Sequence, residues 1–300
     1  MHILITGGTG MIGRRLCAAL LADGHQLTVL SRRPQTVASI CGAAVHSMAD
    51  LNEYHSEMVF DAIINLAGEA IADARWSPAR QQILRTSRIA LTELLLQKVH
   101  AAQRRPQVFL SGSAVGFYGD SGATPLSEQA AAGGDFSAQL CVDWEAAANQ
   151  AAALGIRTCI LRTGLVLDAS GGMLKKMHLP FQLGLGARLG QGSQWMSWVH
   201  VADYVDMLRF LLTQTEAAGC FNMVAPEPVS NRQFTAALAH ALHRPAPWLI
   251  PAFVLRLAMG EMSSLLLGGQ RVLPAKISAL GYRFRFTRLA DALADLYASR

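Results

Sequence analysis

Residues 1–13, MHILITGGTGMIG, decide the fold of this chain. The run from His2 to Thr6 is short, apolar and β-branched, as in a buried parallel strand. Gly7, Gly10 and Gly13 follow it at fixed spacing, and apolar residues then recur at intervals of three and four from Met11 until Gly24. The stretch therefore predicts a strand, a glycine turn and a helix.

The spacing of Gly7, Gly10 and Gly13 is typical of a dinucleotide-binding turn. Gly7 permits the tight turn off the strand, Gly10 lets the backbone approach a pyrophosphate, and Gly13 lets the helix pack close to the sheet. The free N–H groups at the helix start, together with the helix dipole, favour an anion. Because the glycines lie between a predicted strand and a predicted helix, we interpret them as a nucleotide site and not as an ordinary turn.

The composition indicates a well-buried protein without a metal site. Its 300 residues, 51% hydrophobic and 16% charged, suffice for one large domain, or a large domain with a small appendage, that needs no disulfide. Five scattered cysteines without a CxxC pair predict reduced thiols, and His240 and His243 lack acidic or cysteine partners. No apolar run reaches membrane-spanning length and the first strand occupies the N-terminus, so we expect a cytoplasmic protein with no membrane partner.

Strand and helix patterns alternate along most of the chain. They predict an α/β fold with a doubly wound parallel sheet, a Rossmann fold, and a small, mainly helical C-terminal substrate domain. The predicted Rossmann domain spans 1–165, with 195–225 returning to its sheet, while 166–194 and 226–300 form the substrate side. After the first strand, further strands are predicted at 27–30, 43–47, 60–65, 108–113, 156–162 and 221–223, and helices at 77–99, 136–154 and 230–242.

The residues after the second strand indicate which dinucleotide binds. NAD needs a carboxylate there for the ribose hydroxyls, but this chain has Ser31, Arg32 and Arg33. A guanidinium can fork onto a 2′-phosphate, which a carboxylate would repel. We therefore predict NADP(H), against the alternative that the two arginines are exposed charges before Pro34.

Later segments add candidates for the same groove. Asp50 either receives the adenine amino group or caps a helix, and Asn65 is expected to tie neighbouring strands together. On the helix at 77–99, at least one of Arg80, Arg85 and Arg88 should reach towards the phosphates or ribose.

Three further regions are predicted on the substrate side. The loop at 113–120 follows a predicted strand and bears hydroxyl groups at the sheet edge where ligands bind. Trp195 and Trp198, beside glycine-rich turns, form either a lid or part of the core. The last fifty residues carry seven Lys or Arg against three Asp or Glu, which predicts either a docking surface for an anionic substrate or a solvated face.

The chain resembles the extended short-chain dehydrogenase/reductase superfamily and, more narrowly, its branch of "epimerase family" proteins, often labelled nucleoside-diphosphate-sugar epimerases. The resemblance covers nearly the whole chain. It rests on ITGGTGMIG (5–13), SRRP (31–34), NLAGEAIADARW (65–76), the Ser-Arg pair at 87–88, SGSAVGFYGD (111–120), LRTGLVL (161–167), WMSWVHVAD (195–203) and a C-terminal domain around RVLPAKISALGYRFRF (271–286). It implies a nicotinamide dinucleotide site at Gly7, Thr9, Gly10, Met11, Ile12, Gly13, Ser31, Arg32, Leu66, Ala67 and Arg88. The predicted cofactor site also includes Gly68 and Leu165.

The resemblance also exposes a departure in the catalytic residues. The superfamily uses a Ser or Thr after the fifth strand, a Tyr as general acid or base, and a Lys four residues on that lowers the pKa of the Tyr. Ser113 matches the first position, but 135–141 reads DFSAQLC, with Phe136 roughly at the Tyr position and no Lys. A phenyl ring cannot transfer a proton, so the standard mechanism does not carry over.

The candidate catalytic residues are therefore Ser113 and Tyr118. Tyr118 lies in the same loop, with Glu69, Glu145 or His200 as a partner. The alternative is that Tyr118 packs against Phe117 and Trp144 in the pocket wall.

These observations predict an NADP(H)-binding oxidoreductase or epimerase that acts on a small, anionic or nucleotide-sugar-like substrate with a non-standard active site. The alternative is an NADPH-binding regulatory or scaffold protein with little or no catalysis, which the missing Tyr and Lys favour. Basic and aromatic residues are too few and too dispersed for nucleic-acid binding. By analogy with the superfamily, a homodimer through helices near 86–99 and 138–154 is possible.

Overall fold

The computed structural model describes residues 1–298, and a seven-stranded, all-parallel sheet lies at its centre. The strands are β1 (His2–Thr6), β2 (Gln26–Leu30), β3 (His46–Met48), β4 (Ala62–Asn65), β5 (Val108–Ala114), β6 (Pro125–Leu126), β7 (Arg157–Thr163), β8 (Leu165–Leu167), β9 (Ala187–Leu189), β10 (Trp195–Met196), β11 (Trp198–His200), β12 (Gly219–Met223), β13 (Val229–Ser230), β14 (Trp248–Ile250) and β15 (Arg271–Val272).

Helices connect these strands. They are α1 (Met11–Ala22), α2 (Val37–Cys41), α3 (Pro78–Arg85), α4 (Leu91–Ala101), α5 (Phe136–Ala153), α6 (Gly172–Gln182), α7 (Val201–Thr213), α8 (Asn231–Ala241), α9 (Ala252–Met259), α10 (Ser264–Leu267), α11 (Ala275–Ala279) and α12 (Leu289–Ala298). A π-helical turn, Thr86–Ala90, joins α3 to α4 without a break, so the predicted helix at 77–99 is one rod with a widened turn. Ser77 caps it by accepting a hydrogen bond from the Arg80 N–H.

The order of strands in the sheet is β3-β2-β1-β4-β5-β7-β12. Strand order reverses between β1 and β4, which is where ligands bind in open α/β sheets. One face is covered by α1 and α7, and the other by α4 and α5. The predicted doubly wound parallel sheet is confirmed.

A second cluster of buried side chains lies outside the sheet, in the segments predicted for the substrate side. Phe181 from α6, Phe234 from α8 and Leu293 from α12 meet there around Trp198. Trp198 is fully buried and donates its indole N–H to the Glu227 carbonyl, so this tryptophan is part of the core and not of a lid. Trp195 is half-buried beneath the Arg271 guanidinium, which lies 4.8 Å from its ring centre.

Two predicted strands differ from the structure. The third strand begins at His46 and not at residue 43, because Gly42 has φ +122° and starts a turn that the Val45 N–H closes onto its carbonyl. Of 195–225, only β12 joins the main sheet, whereas β11 pairs with β8 in a separate ladder. The chain leaves the sheet at Gly164, where a Cβ would lie 2.5 Å from the Ser197 carbonyl oxygen. The division into domains at 165 stays a prediction.

Candidate functional site

The glycine turn forms the floor of a groove at the carboxyl edge of the sheet. Gly7 has φ +72°, and a Cβ there would lie 2.7 Å from the Leu66 carbonyl oxygen. A Cβ at Gly13 would lie 2.3 Å from the Gly7 oxygen, so α1 approaches the turn as closely as the predicted role of Gly13 requires. Gly10 differs because its Cβ would meet only the Gly7 oxygen, at 3.2 Å, and would otherwise point into open space. The position with room for a ligand is therefore Gly10.

Asn65 ties the strands next to this turn together. Its side-chain oxygen accepts from the Thr6 hydroxyl at 2.6 Å, and its amide donates to Thr92 and Ser111 at 2.9 and 3.2 Å. The expectation that Asn65 ties neighbouring strands together is confirmed for β1, β4 and β5. The register pairs Thr6 with Asn65 and Asn65 with Ser111, so the chain after each strand reaches one shared edge.

The remaining predicted cofactor residues surround this edge. The Leu66 N–H bonds the Thr6 carbonyl, and Ala67 donates to the Thr6 hydroxyl. Leu165 lies farther off in β8, bonded to the Ser197 carbonyl. Gly68 is exposed, and the half-buried members of the set are Thr9, Met11, Ile12, Ser31, Leu66, Ala67 and Leu165. Asp50 caps the short helix Leu51–Glu53 by accepting a hydrogen bond from the Asn52 N–H at 2.7 Å. Of the two roles considered for Asp50, adenine binding and helix capping, the structure shows helix capping.

Arg32 extends from the end of β2 and is 91% exposed. Its guanidinium lies 2.9 Å from a carboxylate oxygen of Glu69, in the loop after β4. Since β1 lies between β2 and β4, this ion pair spans the edge of the sheet at which the glycine turn begins. Arg80 also faces Glu69, at 3.9 Å. The Arg32 guanidinium, which we predict to select NADP(H), is thus paired with the half-buried carboxylate of Glu69.

Arg88 lies in the π-helical turn, beneath Gly68. A Cβ at Gly68 would be 3.0 Å from its guanidinium carbon, and the ring of Trp144 lies 5.3 Å away. Arg88 donates to the carbonyls of Glu69 and Leu84 at 2.8 and 3.2 Å, and within residues 1–298 it has no carboxylate at ion-pair distance. Burial lowers the pKa of Arg88. A half-buried cation held only by neutral groups is suited to an anionic ligand.

A buried hydrogen-bond network lies beyond the groove and includes both predicted catalytic residues. The Ser113 hydroxyl donates to Glu145 at 2.6 Å. Glu145 is paired with Arg162 through two contacts of 2.9 and 2.8 Å, and both side chains are at most 7% exposed. Arg162 donates to the Tyr118 hydroxyl at 3.0 Å, and that hydroxyl donates to Asn222 at 2.6 Å. Ser113 and Tyr118 are therefore linked through one buried ion pair.

The pKa shifts in this network follow from burial and from the ion pair. Burial raises the pKa of Tyr118, and the hydrogen bond from Arg162 opposes the rise only in part. Burial alone would lower the pKa of Arg162, but the hydrogen bonds and charge of Glu145 outweigh it, so the net pKa is raised. Tyr118 is therefore protonated and Arg162 charged at neutral pH.

The helix that should carry the Tyr and Lys positions presents other residues. Ser137, Cys141 and Glu145 recur every four residues on the buried face of α5, where Glu145 accepts the hydrogen bond from Ser113. Phe136 instead packs against Trp76, with ring centres 5.0 Å apart. The face of α5 that contacts Ser113 therefore carries Ser137, Cys141 and Glu145, and Phe136 lies on another face. The Ser137 hydroxyl is buried without a hydrogen-bond partner, and burial raises the pKa of Cys141 to about 11.

Two of the three partners considered for Tyr118 lie elsewhere. Glu69 contacts Arg32 and Arg80, and the Tyr118 hydroxyl bonds Arg162 and Asn222 instead. His200 is also distant, because β11 lies in the small ladder with β8. Only Glu145 reaches Tyr118, and it does so through Arg162. Tyr118 packs edge-on against Phe117, with ring centres 5.3 Å apart, which is one of the two contacts of the pocket-wall alternative. Trp144, the other predicted contact, lies against Gly112 and Arg88.

His200 has surroundings of its own. Its Nδ1 accepts from the Ala202 N–H at 3.1 Å, and its Nε2 lies 3.3 Å from a carboxylate oxygen of Asp295. Burial lowers the pKa of His200; Asp295, Asp203 and Asp168 act in the opposite direction, and Arg15 adds to the lowering. The imidazole is therefore neutral at neutral pH and caps α7 in that form.

Sequence reasoning missed Arg162 and Asn222. A signal for Arg162 exists, since a charged residue inside the apolar run at 156–163 must find a buried counter-ion. Asn222 has no such signal, because β12 reaches its place beside β7 only through the tertiary fold.

The parallel sheet, its switch point and the glycine turn define a Rossmann-type nucleotide-binding protein. The model of the NAD dependent epimerase/dehydratase family matches residues 3–224, and a domain of unknown function, DUF1731, matches residues 250–296. The chain belongs to the NAD dependent epimerase/dehydratase family, as the resemblance implied. Within residues 1–298, no helix is both long enough and apolar enough to cross a bilayer, and no His, Cys, Asp and Glu side chains are grouped to hold a metal.

Relatives match over nearly their whole length. An epimerase family protein of Mycobacterium bovis is 40% identical over 97% of this chain and 96% of its own, and one of Staphylococcus aureus is 36% identical over 98% of both. The crystal structure of the human epimerase family protein SDR39U1 with NADPH matches with a TM-score of 0.90 and 32% identity over 100% of both chains. UDP-glucose 4-epimerase of Thermotoga maritima shares the fold, with a TM-score of 0.81 and 19% identity over 100% of this chain and 98% of its own.

Proposed function

We propose that this protein binds NADP(H) in the groove above the glycine turn and uses it on a small anionic or nucleotide-sugar-like substrate, as an oxidoreductase or epimerase. The observation that carries the proposal is the open space at Gly10, where a Cβ would meet only the Gly7 oxygen. Two arginines that suit phosphate groups, Arg32 after β2 and Arg88 beside Gly68, belong to the same sheet edge. NADPH in the crystal structure of human SDR39U1 supports the choice of cofactor.

The residues of the groove fit a phosphorylated dinucleotide. The first N–H groups of α1 and the open face at Gly10 suit the pyrophosphate, and the Arg32 guanidinium suits the 2′-phosphate. Arg88 is half-buried beside Gly68 and has no carboxylate partner within residues 1–298, so it suits the charge of the cofactor or of an anionic substrate. When bound, the nicotinamide would supply or accept the hydride.

Hydride transfer is accompanied by a proton, which a side chain must accept when a substrate hydroxyl is oxidised and return when a carbonyl is reduced. Ser113 already donates to Glu145 at 2.6 Å, so a substrate hydroxyl that donates to Ser113 would complete a short path to the carboxylate. We assign Ser113 as the catalytic residue that touches substrate and Glu145 as the proton acceptor behind it. Tyr118 is 2% exposed and acts through Arg162, so we now assign it a positioning role.

A regulatory or scaffold protein that binds NADPH is the second candidate. The closed network favours it, because the Ser113 and Tyr118 hydroxyls already have internal partners. As a regulator, the protein would bind NADPH without converting a substrate, and cofactor binding would change a surface that another protein recognises.

The first test is titration of the protein with NADPH and NADH, followed by nicotinamide fluorescence and thermal shift. Arg32→Ala should weaken NADPH binding roughly 10- to 100-fold, as expected for a lost charged hydrogen bond, and leave NADH binding unchanged. Arg105→Ala is the matched control, because Arg105 is exposed at the opposite edge of the sheet, before β5. Failure to bind either dinucleotide would refute the proposal.

The second test separates the enzyme from the regulator. Protein loaded with NADPH is screened for cofactor oxidation against carbonyl compounds and nucleotide sugars. Ser113→Ala should abolish any turnover found and keep the NADPH affinity. If no substrate in either class is turned over, the regulatory candidate replaces the enzyme.

A further inference from the structure

Exposed apolar side chains are concentrated in one region of the predicted substrate side, which borders the loop after β4. Eight of the thirteen large hydrophobic residues that are exposed among residues 1–298 belong to two segments, 172–190 and 243–259. They are Leu179, Leu183, Leu185, Trp248, Leu249, Phe253, Val254 and Leu257. We call these two segments the basic apolar lobe. Leu257 is 80% exposed and Phe253 is 68% exposed, which is unusual for side chains of this size.

The two segments form one surface. β14 pairs in parallel with β9, and the Trp248 indole donates to the Gly184 carbonyl at 3.0 Å. Arg244 donates to the Gln182 carbonyl at 3.1 Å. α9 begins directly after β14, and three of its exposed residues lie at positions 253, 254 and 257, on one helical face. The exposed leucines of the first segment and the exposed face of α9 are therefore neighbours.

The same surface carries charge of a single sign. The two segments contain five Lys or Arg residues and no Asp or Glu. Their formal charge of +5 equals the formal net charge of the whole chain. Lys176 is paired with Asp73 at 2.7 Å, whereas Lys175 and Arg256 are exposed. Leucine, tryptophan and phenylalanine beside lysine and arginine are the composition of segments that lie in the headgroup region of a bilayer.

We propose that the basic apolar lobe binds the surface of an anionic phospholipid membrane, with the exposed apolar side chains among the lipid chains and the basic residues at the headgroups. Charge argues against a second copy of the chain as the occupant, because a two-fold interface would place this basic surface against itself. No spanning helix is required for such binding. The proposal replaces the expectation that the protein has no membrane partner, and it is independent of the nucleotide site.

The test is co-sedimentation of the full chain with vesicles of phosphatidylglycerol and phosphatidylethanolamine, compared with vesicles of phosphatidylcholine alone. We expect binding to the anionic vesicles only, weakened by salt. Lys175→Gln with Arg256→Gln should weaken it about fivefold for each charge removed. Leu183→Gln with Phe253→Ser and Leu257→Gln should reduce it at least tenfold.

Matched controls keep the outcome interpretable. Ile83→Gln with Leu94→Gln removes two exposed apolar side chains outside the lobe and should leave vesicle binding unchanged. Far-UV circular dichroism and the melting temperature show that each variant is folded. No binding to anionic vesicles, or equal loss in the control variant, would overturn the proposal. So would a dimer in sedimentation velocity that the triple variant converts to a monomer, because the lobe would then be a self-association surface.

Discussion

The buried pair of Glu145 and Arg162 should dominate the stability of the site. Glu145→Gln keeps the shape of the side chain but removes the charge that balances a guanidinium 5% exposed. Removal of one partner from a buried pair costs about 3–5 kcal/mol, since the other charge stays buried without compensation. At about 2–4 °C per kcal/mol for a domain of this size, the melting temperature should fall by roughly 6–20 °C. The measurement is urea unfolding followed by far-UV circular dichroism.

The control is the same chemical change at an exposed pair. Asp73→Asn breaks an ion pair of 2.7 Å whose side chains are more than half exposed, and it should cost at most about 1 kcal/mol. Glu145→Leu combined with Arg162→Met removes both buried charges and should be less destabilising than Glu145→Gln alone. A loss below about 1 kcal/mol for Glu145→Gln, or equal losses in the two single variants, would refute the reasoning.

The other predictions concern the groove and the His200 region. Gly10→Ala should leave the melting temperature nearly unchanged but weaken NADPH binding at least tenfold, whereas Gly13→Ala should destabilise the fold because its Cβ meets backbone. Thermal shift with and without NADPH separates the two effects, and equal melting temperatures for the two variants would contradict this prediction. Glu69→Gln should tighten NADPH binding up to about fivefold by releasing Arg32, and titration should show no gain in an Arg32→Ala background. The pKa of His200 is lowered on folding, so the unfolded chain binds more protons and stability must fall as pH drops below about 6.5. His200→Asn, which keeps a capping acceptor, should reduce this slope in urea unfolding between about pH 7.5 and 5.5, and an unchanged slope would show that other groups cause it.

The sequence predicted the sheet well because its strands are buried on both faces and therefore appear as continuous apolar runs. Most elements begin or end within a few residues of their predicted bounds, and Ser77 and Ser230, the first residues of two predicted helices, are N-caps in the structure. The third strand was placed too early because the turn at Gly42 depends on its φ of +122°, which the apolar pattern does not report.

The candidate site was predicted unevenly. The glycine turn and Arg32 could be found because they follow strands at fixed spacing, so local order places them. The ion pair of Glu145 and Arg162 joins α5 to β7, and Asn222 comes from β12 at the edge of the sheet, so these contacts depend on strand order. Local sequence also could not show that Glu69 and His200 face away from Tyr118, because each is held by partners distant in the chain.

The network determines which proton transfers remain open to this chain. In the superfamily's standard pair a lysine lowers the pKa of a tyrosine, but here burial raises the pKa of Tyr118 despite its bond to Arg162. Tyr118 therefore keeps its proton at neutral pH and is unsuited to act as a base, and burial excludes the Cys141 thiol for the same reason. Within residues 1–298, Glu145 is the carboxylate hydrogen-bonded to Ser113, so under the proposed mechanism a proton leaving a substrate at Ser113 passes to it. It follows that Glu145→Gln would abolish turnover in an enzyme, whereas in a regulator the same variant would alter stability and leave no rate to lose.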